Sequence, residues 1–334
     1  MTTLPAARRM HKQVEQGIRP FDIGRDLKPV AELIARAFAN ELDSRGTAAL
    51  REMHIMGHMS GIIRLLNRST GEFNDMFSGF VWLEEGRVVG NVTVQRAANH
   101  SERWQIANVA VAQKHRGRGI ARQLLWRALD HIRSSGGRWA VLQVYENNNA
   151  ARHLYINMGF ENVGGTVDLK IDRIPPVEAP TMPPNFRTFS PARWRALYNL
   201  ANSQFGGQIQ WWRAVRRADF QRTFEQQLAE WLWRVLGRRK VYRRAIESGN
   251  RFEAAIVLEA QRWRGLHKLD LWVRPESRGK YEEQLAQWVL AELREFPRLP
   301  VAVNLQEDHT EAVDAFGAFG FYTEQTLLTM RRQV

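Results

Sequence analysis

The chain has 334 residues, of which 44 % are hydrophobic and 25 % charged. That composition excludes a disordered or collagen-like polymer, and the length suits two domains, each with its own core. There is no cysteine, while 48 Lys/Arg against 35 Asp/Glu give a net charge of +13. Disulfides, thiolate metal sites and a cysteine nucleophile are thereby excluded. The charge points either to an anionic partner or to an arginine-rich composition. The arginines are scattered over the whole chain, which favours the second. No apolar run approaches the ~18 residues of a membrane-spanning helix, and the first residues lack the apolar core of a signal peptide. The expectation is a cytoplasmic protein with no membrane contact.

The pattern of the first half reads β-α-β-β-β-α-β-α-β. Residues 17–22 (GIRPFD) suggest an edge strand. Asp26 then opens an amphipathic helix with Val30, Leu33, Ile34 and Phe38 on one face. A second helical pattern covers 45–68. Residues 77–97 read as a hairpin around Glu85-Gly86. The run Trp104 to Ala112 carries no charge, as befits a strand buried on both faces. Residues 119–137 form a helical pattern that ends in Gly136-Gly137. WAVLQVY (139–145) is another buried strand, and 149–160 is a short helix stopped by Gly159.

Residues 174–184, IPPVEAPTMPP, hold five prolines in eleven positions and read as a linker. Beyond it the order returns: a hairpin around Gly249, then strand, loop and helix over 269–293, then strand and helix over 301–321. Val273 falls on Val111, Arg278-Gly279 on Arg116-Gly117, and Gly320-Phe321 on Gly159-Phe160, at a nearly constant offset. An internal duplication is expected.

The most informative stretch is VAVAQKHRGRGIARQLL (109–125), a buried strand running into Arg116, Gly117, Arg118 and Gly119 and then a helix. The first-turn N–H groups of a helix lack internal partners and carry partial positive charge. Glycines admit a phosphate without a Cβ clash. An anion site follows, most naturally for a pyrophosphate. The dinucleotide fingerprint is missing, because Arg122 stands where its third glycine belongs, and there is no P-loop.

Two motifs together resemble the GNAT superfamily of N-acetyltransferases. Its coenzyme loop reads Gln/Arg-x-x-Gly-x-Gly/Ala, matched here by Arg116, Gly119 and Ala121. Its later segment reads Asn-x-x-Ala-x-x-Leu-Tyr-x-x-x-Gly-Phe, matched by Asn148, Ala151, Leu154, Tyr155, Gly159 and Phe160. The resemblance implies an α/β (α+β) chain with two GNAT-fold domains, each a mixed, mostly antiparallel sheet flanked by helices. The domains would be 1–173 (catalytic) and 185–334 (a degenerate copy), joined by 174–184. It implies acetyl-coenzyme A as co-substrate, lying where the fourth and fifth strands splay apart. Its pyrophosphate would rest on Arg116, Gly117, Arg118, Gly119, Ile120 and Ala121. Its pantetheine would pair with Val109, Ala110 and Val111, with Asn148 holding the pantetheine or the helix start. Tyr155 would protonate the leaving thiolate. On the residues alone, Asn148 also reads as a helix N-cap and Tyr155 as a core tyrosine.

The expected reaction is direct attack of a primary amine on the thioester, with no metal. The acceptor class stays open between a small molecule and a peptide N-terminus, and the oligomer between monomer and homodimer. Many relatives place a Glu on the fourth strand as base, and this strand has none. Asn108 could hold a relay water instead. His54 and His58, one helical turn apart, are another source of a base, or simply packed histidines. The second half puts Tyr281, His309 and Phe316 where the first has Gly119, Asn148 and Tyr155, and reads as inactive. Residues 205–245 carry ten Lys/Arg against three acids, interleaved with aromatics. An amphipathic helix is favoured there over a nucleic-acid groove. The alternative function is a coenzyme A-binding protein whose basic second half engages nucleic acid or another anionic partner.

Overall fold

A computed structural model describes residues 16–38, 78–97, 102–204, 220 and 239–334. His54, His58, the 45–68 pattern and most of 205–245 lie outside them. Two compact units emerge, one of residues up to Leu142 together with Arg331–Val334, the other of Gln143–Met330.

In the first unit, β1 (Gly17–Pro20) leads into α1 (Ile23–Ala37). The helix begins three residues earlier than its apolar face suggests. Asp22 is the N-cap, its carboxylate accepting from the N–H groups of Gly24 and Arg25. Asp26 lies inside the first turn instead. It is buried and grips Arg19 through two bonds of 2.6 and 2.7 Å. Pro29 is accommodated within the helix.

The hairpin follows as β2 (Gly79–Glu84) and β3 (Arg87–Arg96), turned by Glu85 and Gly86, both at positive φ. Next come β4 (Arg103–Val111), α2 (Ile120–Ser134) and β5 (Trp139–Tyr145). Strands β1 to β4 pair antiparallel in chain order, and β4 pairs parallel with β5. Helix α1 buries Val30, Leu33 and Ile34 against Val81, Leu83 and Ala110. Helix α2 turns Ile120, Leu124, Leu125, Ala128, Leu129 and Ile132 inward, the period-3.6 stripe of a helix lying on a sheet. Gly90 permits that approach, because a Cβ there would meet Ile120 Cγ2 at 2.9 Å.

The second unit holds α3 (Asn149–Asn157), β6 (Glu161–Ile171) and β7 (Phe186–Thr188). It continues with α4 (Trp194–Ser203), β8 (Arg239–Ser248), β9 (Arg251–Gln261) and β10 (His267–Val273). It ends with α5 (Glu282–Glu292), β11 (Val301–Gln306), α6 (Thr310–Ala318) and most of β12 (Tyr322–Gln333). The strand order is β12-β6-β11-β10-β9-β8-β7, with β10 and β11 parallel. Each half therefore supplies the same succession of elements, a mixed and mostly antiparallel sheet flanked by helices, as the duplication implied.

The proline-rich stretch does not separate the strand pairing. Strand β6, which precedes it, pairs antiparallel with β11, which follows it, from Thr166–Gln306 to Ile171–Val301. Val167, Leu169 and Ile171 enter one core with Val301, Val303 and Leu305. In the first unit the chain end returns to Arg138, whose carbonyl accepts the Val334 N–H at 2.9 Å. The last strand of the first half thus pairs with a strand of the second half.

Candidate active site

Strand β4 builds the centre. Its register against β3 slips between Asn91–Ala110 and Thr93–Ala107, a β-bulge. Asn108 sits in the bulge at φ +51°, a left-handed conformation that asparagine tolerates better than most residues. Asn91, almost fully buried, donates Nδ2–H to the Asn108 carbonyl at 2.9 Å. Asn108 is exposed and donates its own Nδ2–H to Thr93 Oγ1 at 3.3 Å. The bulge is thus held by side chains on β3.

On its other edge, β4 pairs with β5 only from Arg103–Trp139 to Gln105–Val141, while β4 itself runs on to Val111. Among the described residues the pairing between the two strands ends at Gln105. Val109, Ala110 and Val111 lie past that point, still paired on the other side to β3 through Asn91–Ala110 and Gly90–Val111. A strand with one edge open offers backbone donors and acceptors to an extended ligand.

The chain then leaves β4 through a short turn, Gln113–His115, and reaches Arg116. Gly117 and Gly119 both sit at φ +77°, and a Cβ at either would meet nothing within 4 Å. Their absent side chains leave open space rather than a filled core. Gly119 caps α2 without a side-chain hydrogen bond, and no acid occupies the first turn at Ile120 and Ala121. The helix start is therefore a set of N–H donors with local positive potential.

The two arginines divide. Arg116 donates Nε–H to the Val111 carbonyl at 3.1 Å, tying the loop to the strand end. Arg118 makes a forked pair with Glu84, at 2.7 and 3.0 Å. His115 Nδ1 lies 2.6 Å from the same carboxylate. The Arg118 hydrogen bonds hold the Glu84 carboxyl below its ordinary range; burial opposes them and His115 assists them. Arg118 thus braces the loop against β2 rather than extending from it. Glu84 is a positioning residue that sequence reasoning missed, since a Glu beside a Glu-Gly turn carries no distinguishing signal. Asn91 was missed too, although a lone asparagine in the apolar strand RVVGNVTVQR was a visible cue.

In the second unit, Asn148 caps α3, its Oδ1 accepting the Ala151 N–H at 3.2 Å. Tyr155 is buried on α3 and meets Phe160 edge to face at 6.0 Å. Gly159, at φ +80°, ends the helix, and the Phe160 N–H returns to the Tyr155 carbonyl at 3.0 Å. That closure is the left-handed helix stop, and it explains why the Gly-Phe pair follows the tyrosine at a set distance. The structure therefore groups Asn108 to Ala121 on one strand–loop–helix unit, and Asn148 with Tyr155 on one helix. Among the described residues no cluster of three or more acidic or histidine side chains could hold a metal ion, and no helix is long and apolar enough to cross a membrane.

Residues 45–160 match the Acetyltransferase (GNAT) family. A mycothiol acetyltransferase from Thermobifida fusca is 31 % identical over 164 residues, 45 % of this chain and 44 % of that protein. N-acetyltransferase 8B of Rattus norvegicus is 33 % identical over 95 residues, 27 % of this chain and 43 % of that protein. N-alpha-acetyltransferase 30 of Schizosaccharomyces pombe is 32 % identical over 83 residues, 24 % of this chain and 55 % of that protein. The chain spans about half the length of these curated relatives. In fold it is similar to a GCN5-related N-acetyltransferase from Sphaerobacter thermophilus, with a TM-score of 0.59, 16 % identity and 95 % of each chain covered. It is also similar to a tandem GNAT protein of the clavulanic acid biosynthesis pathway, with a TM-score of 0.56, 15 % identity and 96 % of this chain and 98 % of that one covered.

Proposed function

We propose that the protein transfers an acetyl group from acetyl-coenzyme A to a primary amine by direct attack. The observation that carries this reading is the single strand–loop–helix run of residues 108–121. It joins an open strand edge, a bulge and a glycine cradle at a helix start. Those features suit a long ligand with an extended amide-bearing arm at one end and a pyrophosphate at the other. The coenzyme supplies the activated acetyl thioester. Val109, Ala110 and Val111 offer backbone groups to the arm. Gly117, Gly119, Ile120 and Ala121 offer N–H groups to the diphosphate, and Arg116 keeps that loop beside the strand end.

The residues have separate tasks. A backbone N–H near the bulge would stabilise negative charge on the acetyl oxygen, and Asn91 keeps the bulge in shape. Tyr155 would give its phenolic proton to the departing sulfur. Asn148 would hold the helix start and the arm together. Asn108, exposed and without a carboxylate nearby on its strand, would hold a water that takes the ammonium proton. The acceptor is an amine whose class the relatives do not narrow, since their names point to mycothiol and to other N-acetylation substrates.

Calorimetric titration with acetyl-coenzyme A, followed by an amine panel, tests the reading. One bound coenzyme per chain and turnover with an amine are expected. Tyr155→Phe should lower turnover by about 10²-fold while leaving coenzyme affinity unchanged. Binding without turnover on any amine would favour a non-catalytic coenzyme A protein, and unchanged turnover in Tyr155→Phe would remove the tyrosine as acid.

A further inference from the structure

The second half repeats the strand–loop–helix run and alters it at one point. After β10 comes a turn, Pro275–Ser277, then Arg278, Gly279, Lys280, Tyr281 and α5. Arg278 has φ −58° and ψ 143°, close to the −67° and 160° of Arg116. Gly279 has φ +80°, close to the +77° of Gly117. The backbones then part. Gly119 is left-handed, whereas Tyr281 stands at φ −127° and ψ −15°.

The next residue decides what fills the loop. Ile120 in the first half corresponds to Glu282 in the second. The Glu282 carboxylate folds back over its own turn. Its Oε2 accepts the Tyr281 N–H at 3.0 Å. Its Oε1 lies 2.8 Å from His309 Nε2, and both side chains are 2 % exposed. His309 holds the N-cap place of α6, the counterpart of Asn148, yet makes no capping bond there. Its ring serves Glu282 instead. Burial pushes the Glu282 carboxyl up, but the His309 and backbone bonds outweigh it and hold it below its ordinary range.

A buried carboxylate is expensive unless it is hydrogen-bonded, and this one is held at both oxygens, Oε2 by the Tyr281 N–H and Oε1 by the His309 ring. The Tyr281 N–H, at the N-cap of α5, is one of the helix-start donors that bind anions in general. We propose that the second half keeps an oxyanion cradle and fills it with the Glu282 carboxylate, clamped by His309. On this view that half takes no coenzyme because its phosphate place is occupied from within, and not merely because Tyr281 is bulky. Removing the carboxylate would open a site for a free oxyanion of the phosphate class. The inference rests on the loop's geometry and is independent of acetyl transfer in the first half.

The test uses the full chain and inorganic pyrophosphate as probe, with chloride at matched ionic strength as control. Glu282→Ala should melt lower than wild type, and pyrophosphate should restore much of the loss. Calorimetry should find one more pyrophosphate site per chain in Glu282→Ala than in wild type, at least roughly ten-fold tighter than any binding wild type shows at that place. Equal stabilisation of both proteins, or of neither, overturns the proposal. If Glu282→Ala does not fold, Glu282→Gln decides, because it keeps the shape and loses the charge. It should be less stable than wild type at neutral pH, and equal stability overturns the proposal. A wild type with no pyrophosphate site, beside a Glu282→Ala variant with one, would keep this inference and remove the coenzyme site from the first half.

Discussion

A fragment that starts at the proline-rich stretch should not fold on its own. Residues 174–334 contain β11 but not β6, and β6 covers six consecutive residues of β11. Val167, Leu169 and Ile171 are 8 %, 2 % and 6 % exposed and pack into the same core as Val301, Val303 and Leu305. Taking away three such side chains at about 1.5–3 kcal/mol each removes about 5–9 kcal/mol. The unpaired edge of β11 adds to that loss. A whole domain is stable by only about 5–15 kcal/mol, so the deficit is decisive. Residues 143–330 restore β6 and form the compact unit seen here. Thermal melting followed by circular dichroism separates the cases. The 174–334 fragment should show no cooperative transition and should bind an apolar dye, whereas 143–330 should melt cooperatively. A sharp melt of 174–334 within a few degrees of the longer fragment would refute the argument.

Other expectations concern single residues. Gly119→Tyr forces a side chain into a left-handed site, costing about 1–2 kcal/mol. Its Cβ enters open space, so the melting temperature should fall slightly while coenzyme affinity collapses; retained affinity would misplace the pyrophosphate. Asn91→Leu leaves the Asn108 carbonyl without its donor and should cost about 1–3 kcal/mol in urea unfolding. A negligible change would mean that the bulge holds itself. His267 is fully buried, its Nδ1 accepting the Gln261 N–H at 3.0 Å and its Nε2 facing the Pro297 carbonyl at 3.1 Å. Burial pushes its pKa below the ordinary 6.5, against a smaller opposing effect of the Pro297 bond, and His131 shifts the same way. The unfolded chain therefore takes up protons first, so stability is retained above about pH 6.5 and is lost as pH falls from there. Urea midpoints across that range should show the decline, and His267→Gln should flatten it; parallel curves for the two proteins would exclude His267 as a cause.

Much of the candidate site's geometry was legible because it is set by adjacent residues. An arginine and two glycines between a buried strand and a helix specify a cradle without reference to the rest of the chain. Asn148 and the Gly159-Phe160 stop are likewise set by the helix that they bound, and the structure places them at its two ends. The supporting residues were less legible. Arg118 meets Glu84 across 34 positions, and nothing in either neighbourhood announces the partner. The start of α1 was misread because Asp22 and Asp26 are both plausible caps, and only the Arg19 pairing shows why Asp26 is inside the turn.

The sequence by itself determined the order of elements, the duplication, the glycine cradle and the loss of that cradle's key glycine in the second half. Each depends on side-chain periodicity or on backbone freedom at a few adjacent residues. The tertiary structure decided which strand lies beside which. Alternating burial along β6 states that one face enters a core, but backbone hydrogen bonds are the same for every sequence and do not name the partner. Only the packed chain joins β6 to β11 across the proline-rich stretch, and only it brings Glu282 and His309, 27 residues apart, into contact at 2.8 Å. Burial removes water as a competitor for that carboxylate, so its charge is kept only where the fold itself assembles the donors.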